Sequence, residues 1–282
     1  MFKRKLAKAG FFGHGALFIM VSPFTINSKP HLNPYGAQAN TIAVHKTLRK
    51  DTSVLQVPNT KISSNTILSA PSIQLNAAAT KYVKQFLKKN IEDLQAAEKR
   101  SGPYFSIIEP IFKKYDLPLE LKYLAVVESQ LKSSAVSHAG AKGPWQLMST
   151  TARELGLKIT RKYDERTHYY KSTMAAAKHL SSLYNEFGDW LLVIAAYNSG
   201  SGTVYNAIKK SGSRNFWKLQ GFLPAETRGH VKRYIGTHCY FQEENSLTQL
   251  TKAETTAYLK KVGDFKAQQS LQLDGNTIIA VR

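Results

Sequence analysis

Glu128 lies seven residues after Leu121, on a stripe that also carries Leu124 and Ala125, so helical spacing points its carboxyl to the side where the helix meets a core. An unpaired carboxylate in that position is costly. It is either neutralised, as a helix-end glutamate paired with a lysine or capping a loop, or it keeps its proton near neutral pH, the state a general acid requires. Spacing by itself does not choose between them. Downstream, Gly140 and Gly143 permit a tight loop, Trp145 brings an apolar face, and Gln146 brings a donor and an acceptor on one side chain. Taken singly, these are equally a core tryptophan and a structural amide, and Ser137 is a loop serine that caps a turn. Tyr197 and Asn198 end an apolar run, where they read as a helix-end core residue and a C-cap ahead of Gly200. Glu226 is a further carboxylate. The eight histidines show no zinc-binding spacing and no acidic calcium loop occurs, so a metal-free site that needs no cofactor is expected.

Helices must position these groups. Val83, Phe86, Leu87, Ile91 and Leu94 share one face with Lys and Glu opposite, and Ser101-Gly102-Pro103 is expected to stop that helix. A second stretch is predicted over 104–115, and Asp116 is expected to cap a third that carries Leu121, Leu124 and Ala125. Residues 151–155 predict a short helix ending at Gly156, and 173–187 a packing helix with Ala176, Ala177, Leu180, Leu183 and Phe187 inward. Asp189 can cap 190–197, which is almost wholly apolar and so the central buried helix. Further helices are predicted over 203–210 and from Pro224 or Ala225 to about Phe241. No convincing run of alternating strands precedes Leu271, although Asp274-Gly275-Asn276 followed by 277–281 suggests a turn and a short strand. The fold class is therefore all-α or nearly so, with the domain at 81–244 and a C-terminal extension at 245–282.

The remainder of the chain bears on where such a domain works. Lys3, Arg4, Lys5 and Lys8 precede an apolar run over 11–26, and Ala37-Gln38-Ala39 offers a small-residue cleavage site, so 1–39 reads as a secretory signal, with an uncleaved anchor as the alternative. Residues 40–80, rich in Ser, Thr, Asn and Gln, read as a linker or extended arm. Cys239 is the only cysteine, which excludes an intramolecular disulfide and leaves no lipid acceptor behind the apolar run. Its apolar-aromatic surroundings suggest burial as a small hydrophobe. Removing the five basic residues of the leader from the net charge of +20 leaves +15. Such a chain needs an anionic neighbour: no nucleic-acid motif occurs, and an anionic cell wall or membrane surface fits an exported protein better.

Four blocks then fall in order: Glu128-Ser129; Ser137-His138-Ala139-Gly140-Ala141-Lys142-Gly143-Pro144-Trp145-Gln146-Leu147-Met148; Ala195-Ala196-Tyr197-Asn198-Ser199-Gly200; and Pro224-Ala225-Glu226-Thr227-Arg228. Tyr163-Asp164-Glu165-Arg166 and Phe187-Gly188-Asp189-Trp190 fill gaps between them. Over about 117–241 the chain resembles the Slt-type lytic transglycosylases of bacterial peptidoglycan, of the lysozyme-like superfamily. That resemblance implies a small, mainly helical lysozyme-like fold with a glycan groove and a single catalytic carboxyl, here Glu128. It would protonate the oxygen between N-acetylmuramic acid and N-acetylglucosamine, then act as base on the muramic C6 hydroxyl to leave a 1,6-anhydro end. Because that hydroxyl is intramolecular, no second carboxylate is needed to activate water. The resemblance further implies substrate-binding roles for Ser137, Trp145, Gln146, Tyr197, Asn198 and Glu226, with the Tyr197 hydroxyl aimed at the acid and Glu226 shaping the groove.

The pattern is not matched everywhere. His230 stands where relatives commonly carry tyrosine, Pro144 replaces an aliphatic residue, and His168 stands where an aspartate often sits. His230 reads as a pH-sensitive substrate contact or as a partly buried structural histidine. A hydrolase of the same fold, acting on peptidoglycan or chitin, and a wall-binding protein without turnover are the competing readings.

Overall fold

The structure, a computed structural model, describes residues 69–279, with side chains through 271. The signal assigned to 1–39 and most of the arm at 40–80 lie outside the described residues. Those described form one compact unit over 72–259, while 260–279, the distal part of the last helix, fall in a second.

The unit opens on α1 (Ala77–Lys114), started by Asn76, whose side chain accepts from the Ala79 N–H at 3.0 Å. The expected stop at Ser101-Gly102-Pro103 is absent, and the two predicted helices are one. Pro103 and Pro110 lie on the exposed side, as do Lys99 and Ser106, whose carbonyls lose their helical donors to the prolines. On the inner side Leu94, Ala97 and Ser101 before Pro103 and Ile108 and Phe112 after it are buried, with Tyr104 and Phe105 half-buried between them. A proline in a helix interior costs about 3 kcal/mol. Burying each large apolar side chain beyond it returns roughly 2 kcal/mol, so packing outweighs local propensity.

After α1 the chain turns at Asp116, whose φ is 51°, and passes through a 3₁₀ turn over Leu119–Lys122 into α2 (Tyr123–Ser129). Asp116 does not cap this helix; Pro118 precedes the 3₁₀ turn without a side-chain cap. A loop leads to α3 (Ser149–Glu154), then to α4 (Tyr169–Phe187), α5 (Trp190–Ser199), α6 (Ser201–Ser211), α7 (Phe216–Leu219) and α8 (Ala225–Phe241). Among the described residues extended structure amounts to isolated bridges, Val136–Lys142, Lys142–Leu147 and Ile159–Asp164, so the domain is nearly all-helical. Residues 190–196 of α5 are all buried, with α4, α6 and α8 packed around them. Asp189 caps α5 as expected, accepting from Leu191 and Leu192, and its other oxygen accepts from the Lys252 N–H at 2.7 Å, which ties down the start of α9 (Lys252–Ile279). α9 runs through Asp274-Gly275-Asn276, so the suggested turn and strand do not form there; extending an established helix is cheaper than nucleating a new element. No helix of the described residues is long and apolar enough to cross a membrane.

α8 crosses α1 at Gly236, where a Cβ would fall 2.4 Å from Phe86 Cδ1. Below this crossing, buried His238 contacts Ser246 Oγ through Nε2 at 2.9 Å, within a chain of hydroxyls that joins Ser246, Thr248 and Tyr234. Burial holds the His238 imidazole down at about 4, against an ordinary 6.5.

Two outcomes follow from this packing. Gly236→Ala should lower stability by about 2 kcal/mol in a denaturant melt, and Phe86→Leu in the same chain should recover part of it; an additive double variant would remove the ring contact as the cause. For His238 the folded state favours the neutral form, so its contribution is full above pH 6.5 and fades as pH falls toward 4, amounting to about 3 kcal/mol in all. Thermal melts of wild type between pH 7 and 4 should fall more steeply than those of His238→Gln.

Candidate active site

Glu128 occupies the last turn of α2, with its side chain 12% exposed. The helix ends because Gln130 and Leu131 adopt left-handed φ values of 52° and 63°, strained for side chains with a Cβ. Contacts from three directions hold this turn. Ser129 Oγ donates to the Pro144 carbonyl at 2.9 Å, Arg100 Nη1 to the Gln130 carbonyl at 3.1 Å, and the Tyr169 hydroxyl to the Leu131 carbonyl. Tyr104 stacks on Tyr169 at 4.0 Å, so Arg100 and Tyr104, one turn apart on α1 and on either side of Pro103, brace both strained residues.

The loop over 132–148 is fixed just as tightly. Ser137 Oγ accepts from the Ala141 N–H at 3.0 Å, and Lys142 and Leu147 exchange backbone hydrogen bonds. Gly143 has φ 85° and passes so close to Arg166 that a Cβ would sit 1.9 Å from its carbonyl oxygen. Arg166 itself grips Asp164 with Nε and Nη2 while Nη1 donates to the Gly140 and Leu147 carbonyls. That guanidinium holds the Asp164 carboxyl down to about 2.

The expected site residues separate into distinct roles. Gln146, itself at φ 46°, uses its amide nitrogen to hold the Ala135 and Gly143 carbonyls, which makes it a brace of the loop. Ser137 is likewise spent on the loop. Trp145 is fully buried, its ring against Phe112 and its indole N–H on Thr173 Oγ1 at 2.9 Å. It offers no face to a sugar, so its assignment as a substrate platform is corrected to a core residue. The Tyr197 hydroxyl donates to the Trp145 carbonyl at 2.8 Å and not to the acid. Burial, then the negative charge of Glu128 nearby, push that phenol well above its ordinary value, so it stays a donor. His179 packs on the same ring at 5.3 Å, and burial holds its imidazole down at about 4. Asn198 Oδ1 accepts from buried Thr227 Oγ1 at 2.9 Å and so locates the start of α8. Glu226 pairs with Arg233 one face along α8 and is not brought to Glu128 by any hydrogen bond of the described residues.

What stands against Glu128 is His230: its Nε2 lies 2.9 Å from Oε1, and the histidine is 2% exposed. The sequence marks His230 as a departure from pattern and offers a substrate contact or a buried structural histidine, but not a partner of the acid. Arg100, Tyr169 and the Nη1 of Arg166 carry no signal of their role, since they bond backbone carbonyls remote in the chain.

The arrangement is a nearly all-helical domain built around one half-buried carboxyl, which a strained turn and a braced glycine loop present. Residues 105–220 match the transglycosylase SLT domain family. The chain is 41% identical over 157 residues to membrane-bound lytic murein transglycosylase D of Escherichia coli strain K12, covering 54% of this chain and 34% of that one. It is 38% identical over 94 residues to peptidoglycan transglycosylase gp16 of Escherichia phage T7, covering 33% and 7% respectively. Among solved structures it resembles the soluble lytic transglycosylase Slt70 of Escherichia coli, with a TM-score of 0.48 and 21% identity over 62% of this chain and 32% of that one. The chain thus spans about a third of the length of the first of these relatives.

Gly143→Ala should abolish the braced loop. The expected outcome is loss of activity together with a lower melting temperature, whereas Gly140→Ala, whose Cβ meets nothing within 4 Å, should cost only the strain of its positive φ, about 1 kcal/mol.

Proposed function

We propose that this chain is a peptidoglycan lytic transglycosylase: it cuts the β-1,4 bond between N-acetylmuramic acid and N-acetylglucosamine without water and leaves a 1,6-anhydromuramic end. The observation that carries this reading is the carboxyl of Glu128 at the end of α2, within a stretch that matches the SLT domain family and held by His230, while Glu226 is ion-paired with Arg233. Glu128 donates its proton to the glycosidic oxygen as the bond breaks. The resulting carboxylate then takes the proton of the muramic C6 hydroxyl as that oxygen closes on C1. The nucleophile belongs to the substrate, so proximity replaces the second carboxylate that activation of water would demand. The substrate's acetamido group can stabilise the cationic centre between the two steps.

Residues 81–244 serve as the catalytic domain, Tyr197, Gln146 and Ser137 keep the wall of the groove in shape, and Asn198 and Glu226 line it near α8. The leader at 1–39 exports the chain, without lipidation, to the periplasm or cell surface, where its positive charge favours an anionic wall or membrane and nucleic acid is not a partner. The name of the Escherichia coli relative, a membrane-bound murein enzyme, agrees with work in the cell envelope.

Mass spectrometry of muropeptides released from purified peptidoglycan tests the reading. Wild type should release products lighter by one water than their hydrolytic counterparts, and Glu128→Gln should lower the rate by about 10³-fold. The amide that replaces the carboxyl retains an oxygen for His230, so the variant should melt near wild type. Products with reducing ends would make the enzyme a hydrolase, and no release by folded wild type would favour wall binding alone.

A further inference from the structure

His230 sits on the second turn of α8, three residues after Thr227, whose hydroxyl is fixed to Asn198 at the end of α5. Its ring is packed away from solvent, Nε2 lies 2.9 Å from Glu128 Oε1, and Nδ1 is buried with no hydrogen-bond partner among the described residues. Three protonation forms are open to an imidazole so placed. The imidazolium and the Nδ1–H tautomer both strand a donor where nothing accepts it. The Nε2–H tautomer strands only a lone pair, and an orphaned buried acceptor is tolerated more readily than an orphaned donor.

We propose that His230 is the positioning residue of the acid: neutral and protonated at Nε2 alone, it donates to Oε1 of Glu128 in both charge states of the carboxyl. The inference rests on the transglycosylase reading of Glu128. With Oε1 committed as an acceptor, the exchangeable proton belongs to Oε2. That one oxygen donates the proton to the glycosidic oxygen and later recovers one from the C6 hydroxyl, so the carboxyl does not turn between the two steps. The hydrogen bond strengthens when Glu128 becomes a carboxylate, because an ionised acceptor binds a donor about twice as strongly. His230 touches neither substrate nor the transferred proton, and its effect reaches the reaction only through Glu128, which it orients and whose carboxylate it binds more strongly than the acid.

Two measurements test this on the full chain. In a long-range proton–nitrogen NMR spectrum of histidine-labelled protein at neutral pH, His230 should show a protonated Nε2 and a bare Nδ1; an Nδ1–H tautomer or an imidazolium overturns the proposal. In kinetics on purified glycan strands, His230→Leu should lower kcat by about 100-fold while KM stays within about twofold. His230→Gln, whose amide nitrogen reaches to the place of Nε2, should restore kcat to within about tenfold of wild type. Equal losses in Leu and Gln variants that both melt as folded proteins overturn the positioning role, as does a loss confined to KM. Should the Leu variant fail to fold, the tautomer and the Gln variant decide. Failure of wild type to form anhydro products defeats the reading of the activity, whereas the wrong tautomer in an active enzyme defeats only the role of His230.

Discussion

A carboxyl at the end of a helix, close enough to an apolar interior to be screened from water, needs a partner whose position does not drift. Here the partner is an imidazole on a different helix, 102 residues away in sequence, and the 2.9 Å contact between Glu128 and His230 sets a demand on everything between them. α8 must cross α2 at one height and one rotation. The Thr227–Asn198 hydrogen bond fixes its start against α5, and the approach of Gly236 to Phe86 fixes its middle against α1. The buried residues of α5 provide the surface on which both adjustments are made. The hydrophobic core supplies most of the stability, but the polar contacts select which of many apolar packings is realised.

The strained turn after Glu128 shows the same division. Two consecutive residues with side chains in the left-handed region cost of order 1–3 kcal/mol each. They persist because Arg100, Tyr169 and Ser129 occupy the carbonyls and hydroxyl positions that a relaxed helix end would leave to water. Since Arg100 and Tyr104 must act from one rigid face, α1 has to continue through Pro103. A helix broken at Pro103 would leave each brace on a separate lever. Arg166 performs the equivalent task for the loop, with a planar fork that serves a carboxylate and two carbonyls at once, a geometry that lysine cannot copy.

Local pattern made much of this legible. The burial of α5, its Asp189 cap and the extent of α8 follow from apolar spacing and capping chemistry, which act over a few residues. Pro103 misleads because the rule that prolines end helices describes an isolated segment, and tertiary burial of Ile108 and Phe112 overrides it. At the site, Glu128 is legible from its stripe, and the resemblance adds its chemistry. Trp145 is a core residue, the commoner place for a tryptophan taken singly, and its flat apolar face suits a sugar ring as well as an interior, so residue type alone does not separate the two. Side chains that hold backbone carbonyls far along the chain leave no trace in spacing, so Arg100, Arg166 and Tyr169 emerge only in three dimensions.

The cost of burying His230 explains why its bond to Glu128 bears on rate as well as on structure. An unpartnered Nδ1 in the interior carries a penalty of about 1–3 kcal/mol. While Glu128 holds its proton, the hydrogen bond at Oε1 is an ordinary neutral one and offsets only part of that. Once the proton has passed to the leaving oxygen, the same contact becomes charge-assisted and offsets more. An interaction that is stronger after proton transfer than before it contributes to the barrier, and one that is equal in both states does not. A buried histidine with one empty nitrogen is therefore poorly suited to making the fold more stable and well suited to stabilising the carboxylate that forms during the reaction.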